Sequence, residues 1–445
     1  ALGSMAYWAA ERTALEYTWV DNDHYRLVKY YYADASFSTV IKKVEYARLD
    51  EDPADPAGPT YTTLYRYDGA EKVVTYPSGR RQDVQEYDSQ HRLTRSYRYD
   101  TDNQTISHEE RFEYDGNGYL SKHIDARGGV TEYHYRSDGL LDYRLDPNIS
   151  RGLEADNRRL RVDYRYDGAR RLVSEEETAV AAGSPVTYLK KTSYEYHQVA
   201  GSPHWGLLSR RTVRWDKQGI DYQRAESTEY HYNLIGQQVL VIGPDGLRRG
   251  SRYNQAGRRE SEYVLSDEPN DIYDRYVLLS QSCYVYDDDG RLQAVKRAWH
   301  EGPFSLDEPN AWIETRYEYD FLGRRTAVIE DAGGLALRTT YAYNHQGELV
   351  KTTLPSGKWS RTVRDGRGLV VRELVGYGSG ENETVVAVTE FEYDANGNLT
   401  RRSDPDGGET LYVYDNFDRL IKTTRGDTVT RYEYDPAGQV VRETI

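Results

Sequence analysis

A seven-residue phrase, aromatic-x-Tyr-Asp-x-x-Gly, recurs along this 445-residue chain and limits the folds available to it. Five copies keep every position, at residues 112–118, 284–290, 317–323, 391–397 and 432–438. A second turn signal, Pro-x-Gly, lies between copies at residues 77–79, 244–246, 355–357 and 405–407. Two turn signals per unit indicate two strands per unit. Looser copies keep the two rings and lose the Asp or the Gly; they are Tyr65/Tyr67, Tyr97/Tyr99, Tyr133/Tyr135, Tyr164/Tyr166, Tyr194/Tyr196, Tyr230/Tyr232, Tyr341/Tyr343 and Tyr412/Tyr414.

Each copy has the pattern of a half-buried strand that runs into a tight turn. Tyrosines two positions apart face one side of a strand, and the residues between them, such as Glu318 and Glu392, are mostly polar and face the solvated side. The carboxylate of Asp394 can accept backbone N–H bonds in the turn. Gly397 supplies the positive φ that closes a hairpin with a bulge. We expect the tyrosine rings of neighbouring strands to pack against one another as a cross-strand ladder.

The spacing of the units predicts the fold class. Tyr393, Tyr414 and Tyr434 are 21 and 20 residues apart, which leaves room for two short strands and two turns. No stretch of a dozen residues shows helical periodicity free of turn signals. We therefore predict an all-β fold, a repetitive antiparallel β-hairpin array of roughly thirty strands in one long coiled sheet, because open sheets that wide rarely stay uncoiled. The repeat positions that carry this prediction are Tyr65, Tyr67, Asp68, Tyr114, Asp115, Gly118, Tyr166, Asp167, Tyr286, Asp287, Gly290, Tyr319, Asp320, Gly323, Tyr393, Asp394, Gly397, Tyr414, Asp415, Tyr434, Asp435 and Gly438.

The chain divides by its repeats into three parts. Residues 1–5 (ALGSM) look like a cloning remnant, and residues 6–60 lack the phrase, which predicts divergent strands or a cap. Residues 61–445 form the array, interrupted by polar insertions. The density of Pro and Asp in these insertions predicts ordered loop tips or elongated hairpin arms. The insertions span residues 48–60, 146–160, 175–186, 266–276, 301–312 and 376–384.

Composition excludes several classes of function. A formal charge of −15 disfavours a nucleic-acid binder, and no run of eighteen apolar residues is present for membrane insertion. The mean hydropathy of −0.86 would suggest disorder, but 43 Tyr against 6 Phe and 7 Trp supply apolar rings that each carry a hydroxyl. The single cysteine, Cys283, excludes an intramolecular disulfide and a multi-cysteine metal site. A thin, half-hydrated sheet suits this composition.

A search for catalytic, cofactor and metal motifs finds none in the sequence. The histidines are scattered, and His134 and His231 lie between strand tyrosines, where a solvated strand position explains them. The recurrent aspartates share one turn position, so turn formation explains them better than catalysis. We predict no enzyme activity, no cofactor and no metal. Tryptophans off the repeat and near insertions are candidates for a contact surface: Trp205, Trp299 and Trp312.

The phrase YVYDDDGRL at residues 284–292 resembles the YD repeat of the Rhs-repeat family. That family includes the shells of bacterial polymorphic toxins, the B and C components of insecticidal toxin complexes, and the animal teneurins. The resemblance covers about residues 61–445. It implies a β-sheet ribbon coiled into a hollow shell, which in toxin members encloses a C-terminal toxic domain and in teneurins is exposed for cell adhesion. It also implies a secreted, exported or cell-surface protein.

The match has one departure at the C-terminal end. Toxin-type members close the shell with a self-cleavage segment that contains aspartates and a Pro-x-Gly phrase, whereas Asp435-Pro436-Ala437-Gly438 is only the turn of an ordinary repeat. We expect a piece of a longer protein or one part of a shell built from several polypeptides. The expected partners are the rest of the parent polypeptide or a C-terminal toxin cargo, and a self-associated second copy.

Two functions are therefore weighed. The first is a non-enzymatic shell segment that encloses or presents a toxin or effector. The alternative is a cell-surface adhesion module or a module that binds a carbohydrate or protein ligand through its insertions. Residues 440–445 have few charges, so we expect this C-terminal edge either to be covered by an insertion or to pair with a second molecule.

Overall fold

The computed structural model describes residues 6–8, 13–19, 25–32, 40–46, 60–148, 159–180, 187–198, 202–217, 220–269, 276–299, 311–344 and 347–445. Within these ranges the chain forms 34 strands of a single sheet and one three-residue 3-10 helix. The prediction of an all-β antiparallel array is confirmed. Predictions about residues 1–5 lie outside the described residues, and so do those about half or more of each insertion before residue 312.

The strands follow one another with short connections, and the 3-10 helix, Gly380–Asn382, lies in the insertion at 376–384. The strands are β1 (Ala6–Trp8), β2 (Thr13–Trp19), β3 (Tyr25–Tyr32), β4 (Val40–Tyr46), β5 (Thr60–Tyr67), β6 (Glu71–Thr75), β7 (Arg81–Tyr87), β8 (Leu93–Asp100), β9 (Thr105–Tyr114), β10 (Leu120–Ile124), β11 (Val130–Tyr135), β12 (Leu141–Asn148), β13 (Arg159–Tyr166), β14 (Leu172–Val180), β15 (Thr187–Tyr196), β16 (Leu208–Lys217), β17 (Ile220–Tyr232), β18 (Gln238–Ile242), β19 (Arg248–Tyr253), β20 (Arg259–Pro269), β21 (Tyr276–Tyr286), β22 (Leu292–Trp299), β23 (Ala311–Tyr319), β24 (Arg325–Glu330), β25 (Leu337–Tyr343), β26 (Leu349–Thr353), β27 (Lys358–Arg364), β28 (Val370–Tyr377), β29 (Thr384–Tyr393), β30 (Leu399–Ser403), β31 (Glu409–Tyr414), β32 (Leu420–Arg425), β33 (Thr428–Tyr434) and β34 (Val440–Thr444).

The chain divides into two compact units. Unit 1 consists of Ala1–Glu113, His123–Gly128 and Thr339–Ile445, and unit 2 consists of Tyr114–Lys122 and Gly129–Arg338. In unit 1, each strand from β1 to β9 pairs antiparallel with the next. The strands from β25 to β34 do the same. In unit 2 the same consecutive pairing runs from β11 to β24.

A bulge precedes the second tyrosine at each intact copy of the phrase for which a register is given. In the hairpin of β23 and β24, Glu318 pairs with Ala327, but Tyr319 pairs with Arg325, so one residue of β24 is skipped. The same shift occurs before Tyr286, Tyr393 and Tyr434. The predicted hairpin with a bulge is therefore present.

The buried side chains are small, because a two-sided sheet of this kind has little depth in which to bury large ones. In unit 2 the buried apolar residues are Val162, Ala179, Val213, Ala294, Val295 and Ala327, and the tyrosines are only half-buried. The largest fully buried side chain is Trp359 in unit 1, 1% exposed. It lies over Gly376, where any Cβ would collide with its ring.

On β31 the predicted alternation holds, because Tyr412 and Tyr414 are half-buried while Leu411 and Val413 on the opposite face are exposed. On β14 to β17 the face opposite the tyrosines is solvated only next to the turns, which corrects the prediction for these strands. Further along the strands, Ser174, Ser193, Thr212 and Ser227 lie opposite one another across β14 to β17. Thr212 is 7% exposed and its hydroxyl lies 3.0 Å from that of Ser227. Small hydroxyl residues can be buried here because they hydrogen-bond across the strands.

Candidate functional site: the repeat junctions and the seam

The turn that follows each paired tyrosine is organised by its aspartate. The Oδ1 atom of Asp320 accepts the backbone N–H groups of Leu322 at 3.0 Å and Arg324 at 2.9 Å, and its Oδ2 accepts Nε of Arg324 at 2.7 Å. Gly323 donates its N–H to the carbonyl of Asp320 and has a φ of 80°. A side chain can adopt that φ only with strain, so the phrase ends in Gly.

The same carboxylate contacts recur in both units. Backbone N–H groups two or four positions ahead bond to Asp88, Asp115, Asp167, Asp287, Asp394, Asp415 and Asp435. The backbone N–H of Arg171, followed by its guanidinium, holds the pKa of Asp167 below its usual range. Glycines with positive φ close the intact turns at Gly118, Gly290, Gly323, Gly397 and Gly438. Asp68 differs, because its Oδ1 bonds to the N–H groups of Ala70 and Glu71 in a tighter turn.

The second tyrosine of the phrase joins one repeat to the preceding one. The hydroxyl of Tyr319 donates to the carbonyl of Leu292 at 2.7 Å. Arg291 has its guanidinium carbon 5.4 Å from the centroid of that ring, and its Nε bonds to Asp287 at 2.8 Å. A chain of contacts thus runs from the turn aspartate through arginine to the tyrosine of the next repeat.

This junction is a general feature of the described array. The tyrosine hydroxyl reaches the first residue of an earlier return strand at Tyr196 to Leu172, Tyr232 to Leu208, Tyr286 to Arg259, Tyr393 to Val370 and Tyr434 to Leu420. Arginine lies on the ring of Tyr196 at 4.7 Å and of Tyr434 at 5.0 Å. Tyr119 stacks on Tyr135, but at the junctions of Tyr196, Tyr319 and Tyr434 the neighbour of the ring is arginine, so the predicted ring-on-ring ladder does not describe these junctions. The signal in the sequence was the Arg that follows Gly or its substitute, together with the preference for Tyr over Phe.

Two of the three predicted contact tryptophans have described side chains, and both are exposed. Trp205 is 55% exposed in the turn between β15 and β16, and Trp312 is 39% exposed on β23. Trp299 ends β22, and its side chain lies outside the described residues. The turn next to Trp205 adds exposed Leu234 and Ile235, which sequence reasoning missed.

Within unit 1, the turns of the last repeats contact strands near the start of the array. Arg81 donates to Asp418 at 2.9 Å although 337 residues separate them. Their side chains are 12% and 14% exposed. Asn396 and Asn398 also donate to Asp418, at 2.9 and 2.8 Å. We call the contacts of the turns at 394–398, 415–419 and 435–439 with residues 78–108 and 127 the seam.

Hydrogen bonds extend the seam along the sheet on both sides of this ion pair. Asn416 donates to Asp100 at 2.9 Å, and the backbone N–H of Ser78 donates to Oδ1 of Asn396 at 2.9 Å. Burial alone would raise the pKa of Asp100, but hydrogen bonds from Asn103 and Asn416 outweigh it and hold the pKa below its usual range. Asp100 is therefore an ionised carboxylate that is 3% exposed and fully hydrogen-bonded.

The last turn makes the third part of the seam. Arg127 bonds to Asp435 at 2.5 Å and also to Gln439. The backbone N–H of His108 donates to the carbonyl of Pro436 at 3.0 Å, and the His108 ring packs against Gly438. Sequence reasoning missed the seam, because the residues of an ordinary repeat turn and of an ordinary strand carry no mark of a distant partner.

Two depressions border the seam in unit 1. The larger, about 420 Å³, is lined by residues that include Lys72, Asp83, Arg98, His108 and Glu110. The smaller, about 260 Å³, lies between β9 and the turn at Pro436. Among the described residues no group of three His, Cys, Asp or Glu could hold a metal ion. Burial raises the pKa of the Cys283 thiol, which keeps it protonated and poorly nucleophilic.

The chain matches known proteins by sequence and by fold. A family model described as RHS Repeat matches residues 393–430. The chain is 24% identical over 434 residues to a protein of Burkholderia cenocepacia named double-stranded DNA deaminase toxin A, a match that covers 75% of this chain and 29% of the relative. No helix in the described ranges is long and apolar enough to cross a membrane.

Solved structures show the same fold. The crystal structure of TcdB2-TccC3 superimposes with a TM-score of 0.55 at 16% identity, over 96% of this chain and 23% of that chain. The form of TcdB2-TccC3 without its hypervariable C-terminal region gives a TM-score of 0.56 at 16% identity, over 96% of this chain and 22% of that chain. The chain thus spans about a quarter of the length of the relatives it matches.

Proposed function

Since the chain belongs to the Rhs/YD-repeat family, we propose that it is a structural shell segment of an Rhs-type toxin protein. Its role is to enclose or present a toxin or effector cargo. The cargo and the rest of the wall come from the parent polypeptide or from partner components. The segment itself is non-enzymatic, and it acts outside the cytoplasm after secretion or export, as suits a toxin shell.

The seam is the observation that carries this proposal. A ribbon used only to display a ligand-binding surface needs contacts between neighbouring strands and no others. Here the turns at 394–398, 415–419 and 435–439 bond to residues more than 300 positions earlier. These bonds include the largely buried Arg81–Asp418 pair and the bonds to Ser78 and Arg127. Holding distant repeats side by side is what a wall around a cargo requires.

The activity in the relative's name is not transferred to this chain. The deaminase toxin is more than three times longer than the matched part, and enzyme activity would need a site of its own. The described residues of this chain offer turn aspartates whose oxygens are already hydrogen-bonded to their own backbone, as at Asp320. We assign the activity of the whole toxin to its cargo and the protection of that cargo to segments like this one.

Limited proteolysis of the natural full-length protein tests the proposal. We expect the cargo to resist a protease that digests it readily once it is expressed alone. The double variant Asn396→Ala, Asp418→Ala removes the centre of the seam and should make the cargo accessible. The matched control is Asp406→Ala, a turn aspartate of the same unit that accepts only the local N–H of Gly408 among its described contacts. Equal digestion of the cargo inside the intact protein and alone would refute enclosure.

A further inference from the structure

His108 occupies an unusual backbone position in the part of the seam that contacts the last turn. Across the β8–β9 ladder, Arg98 pairs with Ser107 and Ser96 pairs with Glu110, so His108 and Glu109 together face the single residue Tyr97. His108 takes up this bulge with a φ of 54°, a conformation rare for a residue with a Cβ. The bulge turns its N–H out of the ladder, where it donates to the carbonyl of Pro436 at 3.0 Å.

The His108 ring is placed as a neutral imidazole. Its Nδ1 lies 2.8 Å from the hydroxyl of Ser107, and its Nε2 lies 3.5 Å from Nη1 of Arg98. A guanidinium can only donate, so Nε2 must accept and Nδ1 carries the proton. The same ring edge rests on Gly438, where a Cβ would overlap the ring. The last turn therefore depends on this ring both for packing and for a backbone hydrogen bond.

The charges around His108 oppose a second proton on the ring. Burial lowers its pKa first, and the guanidinium groups of Arg98, Arg419 and Arg81 lower the pKa further, while Asp415 raises it. Arg98 is weakly neutralised, because Asp83 is 4.0 Å away and is already bound by Arg81 at 2.8 Å. Lys72 and Glu110, one of each sign, complete the lining of the adjacent 420 Å³ depression. That depression leaves water, and hence protons, a route to the ring.

We propose that His108 is an acid-sensitive latch that holds the last repeat turn against β9 while its ring is neutral and releases the turn when the ring is protonated. Protonation converts Nε2 from an acceptor into a donor that faces the Arg98 guanidinium. The ring must then move, and with it go the support under Gly438 and the hydrogen bond to Pro436. This goes beyond the shell function and rests only on contacts within unit 1.

The lowered pKa of His108 makes the closed seam less stable at acid pH. Because closing the seam lowers the pKa of His108, the closed state binds fewer protons than the opened state. The contribution of the neutral ring to seam stability is fully present above the ordinary histidine pKa of about 6.5 and decreases as the pH falls below that value. With an ordinary pKa of about 6.5 in the opened state, the opening equilibrium rises from pH 7.5 to 5.5, by about tenfold at most, a limit reached when the closed-state ring stays neutral throughout. The carboxylates of Asp100 and Asp435 stay ionised in this window, since the pKa of each is already below its usual range.

Hydrogen exchange of the full chain at pH 7.5, 6.5 and 5.5, corrected for the intrinsic exchange rate, tests the latch. We expect peptides spanning residues 105–110 and 432–439 to open more as the pH falls, by a factor of at most about ten. His108→Gln keeps a neutral hydrogen-bonding side chain and should abolish the pH response. The control His134→Gln changes a histidine of unit 2, stacked on Tyr143 at 4.1 Å, and should leave the response intact.

Either of two results would overturn the latch. One is a parent protein without a pH response at these peptides, and the other is the same response in His108→Gln. If His108→Gln already opens the seam at pH 7.5, an NMR titration of the parent decides instead. A His108 pKa at or above 6.5 then refutes the proposal. None of these outcomes depends on whether a cargo is enclosed.

Discussion

Replacing Gly323 by alanine isolates the backbone strain that the YD turn imposes. A Cβ at this position meets only Cδ of Arg291, at 4.0 Å, so the change causes no collision. The φ of 80° remains, and the left-handed region costs a residue with a Cβ about 1–2 kcal/mol. Alanine also lowers the entropy of the unfolded chain, which returns about 0.4–1 kcal/mol of stability. We expect a net loss of roughly 1 kcal/mol, and a larger loss for Gly323→Val.

Gly116→Ala is the matched control in the same unit. Gly116 lies in the equivalent turn after Asp115, has open space around its Cβ position and does not have a positive φ. The unfolded-state effect is the same for both glycines, so the difference between the two variants equals the strain, about 1–2 kcal/mol. Hydrogen exchange of peptides spanning 110–124 and 315–330 measures each opening free energy locally, which matters because long arrays do not unfold in one step.

Asp320→Asn should cost less than Gly323→Ala. Asparagine already occupies this turn position at Asn233 and Asn254, where Oδ1 accepts the same two backbone N–H groups. The variant therefore keeps the turn and loses only the charge on its bond to Arg324. Equal exchange in the two alanine variants, or a larger loss for Asp320→Asn, would show that the glycine is not retained for its conformation.

Three further changes address the junctions, the acid limit and the exposed edge. Tyr434→Phe removes the 2.6 Å bond to the carbonyl of Leu420 and should destabilise the neighbouring strands by about 0.5–1.5 kcal/mol in hydrogen exchange. Tyr432→Phe should cost less, because the hydroxyl of Tyr432 makes no hydrogen bond within the described residues. Because hydrogen bonds lower the pKa of Asp167 in the fold, its contribution is present above about pH 4 and is lost as the pH falls, so Asp167→Asn should flatten the acid limb of an unfolding titration. In the described structure β34 pairs only with β33, and Val440 is 52% exposed, so Val440→Lys with Ile445→Lys should reduce any self-association in light scattering. A parent chain that is already monomeric, with its last strand in fast exchange, would contradict the reactive edge.

The local chemistry of the repeat was predictable from its residues alone. Two tyrosines on one strand face, a turn aspartate and a glycine at positive φ each follow from backbone geometry over fewer than ten residues. The register shift before Tyr319 and the bonds of Asp320 appear as that geometry requires. Consecutive strands joined by tight turns can pair only antiparallel, so the order of the sheet was also contained in the spacing of the phrase.

The sequence predicted that the tyrosine hydroxyls need hydrogen-bond acceptors, but it did not identify those acceptors. The hydroxyl of a half-buried tyrosine usually needs a hydrogen-bond partner, and the excess of Tyr over Phe indicates that such partners exist. Which acceptor satisfies it, the carbonyl of Leu292 for Tyr319, depends on how two repeats stack side by side. Instead of a second tyrosine ring, the guanidinium of Arg291 contacts the ring of Tyr319, because its bond to Asp287 holds it there.

The seam was decided by tertiary structure. Arg81 has the sequence context of any strand arginine. Asp418 stands at the turn position that Gly holds in the intact copies, with a φ of 61°, but nothing in its repeat identifies Arg81 as its partner. Local patterns determine hairpins because their energies arise between neighbours in the chain. Contact between residues 337 positions apart depends on how the first and last repeats of unit 1 pack against each other, which no single repeat encodes. Sequence periodicity therefore specified the repeating unit, and only the folded sheet determined which repeats meet.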